Sequence, residues 1–196
     1  MSAFSPSFPR PMGGPLIAWE GAFSAAEVDR ITAMGDALVR ARAELVAAED
    51  MLGSKRITDV SWFERDGESQ WLYTRLEGIA QQLNRQYYKY NIYNELREAL
   101  QYTIYESRQG GHYDWHVDHG AGGADARKIS ISVQLSDPSA YQGCDLELNF
   151  GDGIMMAPRS RGTVVAFASY VLHRVSPVTS GVRKSLVAWV SGPEFA

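Results

Sequence analysis

Apolar positions along this chain fall into two textures. Before about residue 90 they recur at helical spacing: Val28, Ile31, Met34, Leu38 and Leu45 predict a helix of roughly twenty residues. Its start is marked by Ser24-Ala-Ala-Glu27, a capping box in which serine and glutamate satisfy each other's backbone amides, with Phe23 and Val28 flanking it as a hydrophobic staple. Trp71, Leu72, Leu76, Ile79, Leu83 and Tyr87 predict a second amphipathic helix reaching about residue 88. Each helix is preceded by a β-prone run, PLIAW at 15–19 and LGSKRITDVSWF at 52–63. From about residue 99 the period shortens to alternation, in the runs ALQYTIY, KISISVQL, DLELNF, GTVVAF and RKSLVAWV, broken by Gly, Pro, Asp and Ser at intervals of roughly ten residues. The expectation is an α+β fold: an antiparallel sandwich or jelly roll, with the two helices covering one sheet.

Within KISISVQL, Ile129, Ile131, Val133 and Leu135 share one face, and Ser130, Ser132 and Gln134 share the other. Taken alone, this strand reads as half-buried, with its polar face in solvent. The Ser/Pro/Gly-rich leader, residues 1–15, reads as a flexible arm, and 16–196 as a single domain without an interdomain linker. A net charge of −4 offers no basic field for phosphates, which argues against a nucleic-acid partner. The single cysteine, Cys144, cannot form an internal disulfide, and no apolar run suits a signal peptide or a membrane span; the expectation is a cytoplasmic protein.

Candidate chemistry is concentrated in GHYDWHVDHG, residues 111–120, which holds three of the four histidines. His116 and Asp118 are two apart and so project to one side of an extended chain. His173, in FASYVLHRV, adds a second imidazole, and two imidazoles with one carboxylate on one face of an ion form the facial triad of non-haem Fe(II) oxygenases. Ten residues on, Arg183 shares a strand face with Ser185, Val187 and Trp189. An arginine turned into a sheet interior calls for an anion, and a carboxylate is its natural bidentate partner. Bland alternatives stay open: His173 as a hydrogen-bonded core histidine, and Arg183 as an ion-pair partner of Asp145 or Glu147.

The order His116-x-Asp118, His173, Arg183-x-Ser185, on β-rich sequence behind two helices, resembles the Fe(II)- and 2-oxoglutarate-dependent dioxygenases, and most of all their branch of prolyl 4-hydroxylases and PKHD-type hydroxylases. The resemblance implies a double-stranded β-helix. It implies that His116, Asp118 and His173 hold Fe(II), and that Arg183 and Ser185 take the distal carboxylate of 2-oxoglutarate. Tyr105 would contact the co-substrate or substrate, Gln134 would lie toward the distal carboxylate, and Tyr113 and Trp189 would line the pocket. O2 is the third reactant, ascorbate a further cofactor candidate, and succinate and CO2 the by-products. Asp118 favours hydroxylation, since halogenating relatives lack that carboxylate.

The substrate so implied is a prolyl residue of a protein or peptide. A free amino acid or other small molecule is the alternative, and a non-catalytic jelly-roll binding module the second. A nucleic-acid demethylase would carry a second arginine where this chain has Trp189. Relatives often have Gly-Gly where this chain has Gly143-Cys144, so Cys144 reads as a tolerated small residue. His112 and His119 read as bystanders, RSRG at 159–162 as a solvated turn, and YNIYNEL at 90–96 as a candidate lid.

Overall fold

The computed structural model describes residues 8–46, 55–118, 125–151 and 153–194. In chain order its elements are β1 (Arg10–Gly13), β2 (Leu16–Trp19), α1 (Ala25–Ala37), β3 (Ala41–Val46), β4 (Lys55–Phe63), α2 (Gln70–Leu83), β5 (Leu100–Glu106), β6 (His112–His116), β7 (Asp125–Gln134), β8 (Tyr141–Gly143), β9 (Leu146–Asn149), β10 (Ile154–Met156), β11 (Val164–Ala168), β12 (Leu172–Val175) and β13 (Val178–Pro193). The strands form one antiparallel ladder in the order β1-β2-β11-β7-β13-β5-β4-β6-β12-β9-β10, with β3 on β4 and β8 on β13. Side chains from β4, β5, β6, β7, β9, β11, β12 and β13 meet around a single cavity, so the ladder curls on itself as a jelly roll.

The two helices pack on one face of this sheet, as their spacing predicts. Leu72, Leu76, Ile79 and Leu83 of α2 are buried against Ile129, Ile131 and Val133 of β7 and Leu186, Ala188 and Val190 of β13. Full burial of each such aliphatic side chain stabilises the fold by about 1.5–3 kcal/mol. The capping box at Ser24 forms with both reciprocal bonds, and Phe23 and Val28 join the same cluster. Past Leu83 the helix widens into one π-turn, Asn84–Tyr88, which carries Tyr87 and Tyr88 to the carbonyls of Pro9 and Pro15.

Three expectations are corrected. First, α1 stops at Ala37 rather than running to Leu45, because Leu38 turns extended and Ala41–Val46 pairs residue for residue with β4. Leu45 fitted the helical period by coincidence; the ladder offered by β4 decides its state. Gly35 lies against the Tyr102 ring, where a Cβ would come within 2.7 Å of it, and Tyr102 Oη donates to Asp36. Second, Arg10–Gly13, expected in a loose arm, forms an edge strand on β2; an edge is where Pro11 can sit in a sheet at little cost. Third, RSRG makes its turn at Arg161–Gly162 but is anchored rather than merely solvated: Arg159 binds Tyr141 and Asp145, and Arg161 binds the Leu135 carbonyl and Asp29.

The segment 90–96 is pinned rather than free at its ends. Asn84 brackets Tyr90 through both backbone groups, Tyr93 N donates to Ser191 O, and Leu96 N donates to Glu77. Gly192 permits this approach, since a Cβ there would lie 2.0 Å from Asn91 O. None of these seven residues lines the cavity. No described helix is long and apolar enough to cross a membrane.

Candidate metal and co-substrate site

The alternation of β7 has a different meaning in the folded chain. Ser130, Ser132 and Gln134 are buried like Ile131 and Val133 between them, at 1%, 7% and 3% exposure. The isoleucine face lies under the helices and the polar face points into the jelly roll. The same split on β13 turns Arg183, Ser185, Val187 and Trp189 inward. The interior so formed is a cavity of about 290 Å³, near the small end of ligand-sized pockets.

His116 and His173 face each other across the β6–β12 pairing, and Asp118 follows where the chain leaves β6, its N–H donating to Ser169 O at 2.9 Å. One ligand atom from each of the three lies within 4.8 Å of the others. His116 Nε2 is 3.6 Å from Asp118 Oδ1, and His173 Nε2 is 3.5 Å from Oδ2. Both rings are held by their other nitrogen, His116 Nδ1 at 2.7 Å from Asp114 O and His173 Nδ1 at 2.9 Å from Val171 O. A carbonyl only accepts, so Nδ1 carries the proton and Nε2 presents its lone pair to the shared point. Tyr113 stacks on His116 at 3.5 Å, Phe167 meets His173 edge-on at 4.6 Å, and Ser130 Oγ donates to Asp118 Oδ2 at 2.8 Å.

The electrostatics favour the ligand-competent forms. Burial, with the His173 imidazole second, lowers the His116 pKa to about 4, so the ring is neutral at pH 7. Burial pushes the Asp118 carboxyl upward, but attraction to the charge that His173 and His116 take up as they protonate, with the Ser130 hydrogen bond, outweighs it and holds it below the ordinary carboxylate range. In the metal-free protein, the unfolded chain takes up a proton on His116 near pH 6.5 while the folded chain resists until about 4. Stability therefore falls as pH drops through that window. Melting temperatures measured across it should decline less steeply for His116→Gln; parallel declines would refute the assignment.

Arg183 lies at the other side of the cavity and is 2% exposed. Its Nη2 donates to Gln134 Oε1 at 2.9 Å, while Nη1 is buried with no hydrogen-bond partner among the described residues. Asp145 and Glu147, the ion-pair partners weighed for it, are engaged by Arg159 and Arg174 instead. An orphaned buried guanidinium N–H is expensive to leave unmet, and a carboxylate would meet it. Tyr105 is buried beside Arg183 with its ring 5.7 Å from the guanidinium, and Ser185 Oγ is 2.6 Å from Thr103 Oγ1. The residues present thus fit both a facial-triad metal and a dicarboxylate co-substrate.

Of the sequence candidates, His116, Asp118, His173, Arg183, Ser185, Tyr105, Tyr113 and Trp189 all line the cavity. Gln134 does not; it stands behind Arg183 and orients it. His112 bonds the Gly110 carbonyl and stays outside the lining, and His119 lies outside the described residues. Cys144 has φ +57°, the left-handed region that glycine tolerates best, as suits a position where the resemblance leads one to expect glycine. The sequence reading missed Arg56, Trp62, Gln101, Arg127 and Phe167, which complete the wall. Arg127 lies over Trp189 at 3.9 Å and is paired with Glu98.

Comparison with known proteins agrees with this geometry. Residues 100–191 match the model of the 2OG-Fe(II) oxygenase superfamily. The triad and the inward arginine of the jelly roll all lie on the matched segment. Among curated proteins the chain is similar to PKHD-type hydroxylases: it is 35% identical over 83 residues to one from Maricaulis maris, covering 42% of this chain and 38% of the relative. It is 28% identical over 167 residues to one from Teredinibacter turnerae, covering 74% of each. The chain spans about two-fifths of the length of the first curated relatives it matches. Its fold is that of a Pseudomonas putida prolyl-4-hydroxylase, with TM-score 0.69, 19% identity, and coverage of 92% of this chain and 94% of that one.

Proposed function

We propose that this protein is a 2-oxoglutarate-dependent dioxygenase that hydroxylates an unactivated C–H bond. The observation that carries the reading is the facing of two half-sites in one cavity: three ligand atoms within 4.8 Å on one wall, and the orphaned Nη1 of Arg183 on another. Bound Fe(II), 2-oxoglutarate and O2 would supply the oxidation, with release of succinate and CO2.

The chain's own part is geometric. His116, Asp118 and His173 would hold the metal from one side and leave the cavity side open. Arg183, aimed by Gln134, would fix the far end of the co-substrate, so that its reactive end has one orientation. Phe167, Leu146 and Val175 exclude water from the interior, and Trp62 and Trp189, with ring centroids 6.4 Å apart, flank the bound substrate.

A prolyl residue in a protein or peptide is the first substrate to test. The PKHD-type names of the relatives favour it, as does the presence among the structural neighbours of a Trichoplax adhaerens prolyl hydroxylase in complex with a hypoxia inducible factor peptide. A free amino acid or another small molecule is the alternative. Protein purified without oxygen, given Fe(II) and 2-oxoglutarate and then exposed to O2, should release succinate, and faster with the right one of a set of prolyl peptides and free amino acids. Neither binding nor turnover of 2-oxoglutarate would end the enzyme reading in favour of a binding module.

A further inference from the structure

A second guanidinium enters the cavity from β4. Arg56 is 8% exposed, and the β4–β6 pairing sets it opposite Tyr113, with its charge 4.8 Å from the centre of that ring. Tyr113 in turn stacks on His116. Nη1 of Arg56 reaches Gln101 Oε1 at a long 3.4 Å, and Nε and Nη2 have no hydrogen-bond partner among the described residues. Those two donors form one edge of the guanidinium, the fork that a carboxylate fills with two parallel hydrogen bonds.

Among the described residues, no lining side chain can supply that carboxylate. Asp118 is the acid of the wall and belongs to the metal triad, while the third arginine there, Arg127, is already paired with Glu98. Under the function proposed above, on which this inference rests, a divalent metal and a dicarboxylate co-substrate cancel, and Asp118 cancels Arg183. The charge of Arg56 is left over. Its strand is separated from that of Arg183 by β5, roughly 10 Å at the backbone, so the two forks enter the cavity from different strands.

We propose that Arg56 binds a carboxylate of the substrate itself, which selects the alternative substrate named above, a small carboxylic acid of free amino acid size, over the internal prolyl residue of a protein. The cavity of about 290 Å³ suits such a molecule beside the co-substrate.

The test uses the full chain loaded with Fe(II) and 2-oxoglutarate under anaerobic conditions. Calorimetry follows binding of the twenty standard amino acids and of their carboxamides. At least one free acid should bind, with its amide weaker by roughly 30-fold, the scale of a lost charge-assisted pair. Arg56→Gln should abolish that difference and Arg56→Lys restore part of it, while 2-oxoglutarate affinity stays within about threefold of wild type. The empty Arg56→Met protein should melt no lower than wild type, because an unpaired buried charge is removed. A tenfold or larger loss of 2-oxoglutarate affinity in Arg56→Gln would assign the residue to the co-substrate and overturn the proposal. So would acids and amides that bind alike, no acid binding at all, or variants that fail to fold. Absence of 2-oxoglutarate binding by the wild type would instead overturn the proposed function, and this inference with it.

Discussion

His116→Ala should lose Fe(II) binding by more than roughly 100-fold and with it all succinate release, while keeping the fold. Loss of an outer hydrogen bond alone costs a metal site about 10–100-fold, and here one of three ligands goes. The ring is buried, yet its contacts are few: a stack on Tyr113, a tilted contact with His173 and one bond to the Asp114 carbonyl. Truncation therefore leaves a small cavity rather than an uncompensated charge. Metal titration followed by calorimetry, with circular dichroism as the check on folding, measures both parts. An alanine variant that binds Fe(II) as wild type does would mean that the three ligand atoms, close as they are, do not form the metal site.

Arg183→Ala should separate the two half-sites. Truncating one member of a buried, hydrogen-bonded charge pair costs on the order of 3–5 kcal/mol, or roughly two to three and a half orders of magnitude in 2-oxoglutarate affinity. Fe(II) affinity should change by less than about threefold, because the guanidinium bonds Gln134 and touches none of the triad. Arg183→Lys keeps the charge without the fork and should fall between. Equal losses of metal and co-substrate binding would show that Arg183 supports the wall as a whole and is not the carboxylate anchor.

The residues of this site differ in how legible they were along the chain, and the reasons are physical. His116, His173 and Arg183 lie on strands whose alternation fixes which side chains share a face, and Asp118 follows two residues past the end of β6, so their convergence could be read from parity and order. The polar face of β7 could not: Ser130, Ser132 and Gln134 look the same whether they face water or a cavity, and only closure of the sheet decides. Arg56 was hidden more deeply. It enters the site because β4 inserts between β5 and β6 in the ladder, and a pairing such as Arg56 with Tyr113, 57 positions apart, leaves no trace in local pattern. The overextended α1 has the opposite cause. Leu45 kept the helical period, and the competing ladder on β4 that made it a strand is a tertiary effect.

β13 runs unbroken from Val178 to Pro193 and carries Arg183 and Trp189 on its inner face. Six residues of strand span roughly 20 Å, and two overlapping ladders hold that stretch, β5 over Val182–Val187 and β7 from Ser185 onward. The strand thus works as a ruler with a charged mark near one end and an aromatic mark near the other. A mutation that slipped its register by a single residue would turn both marks out of the cavity at once, so co-substrate affinity and substrate choice should fail together in any variant that loosens this strand.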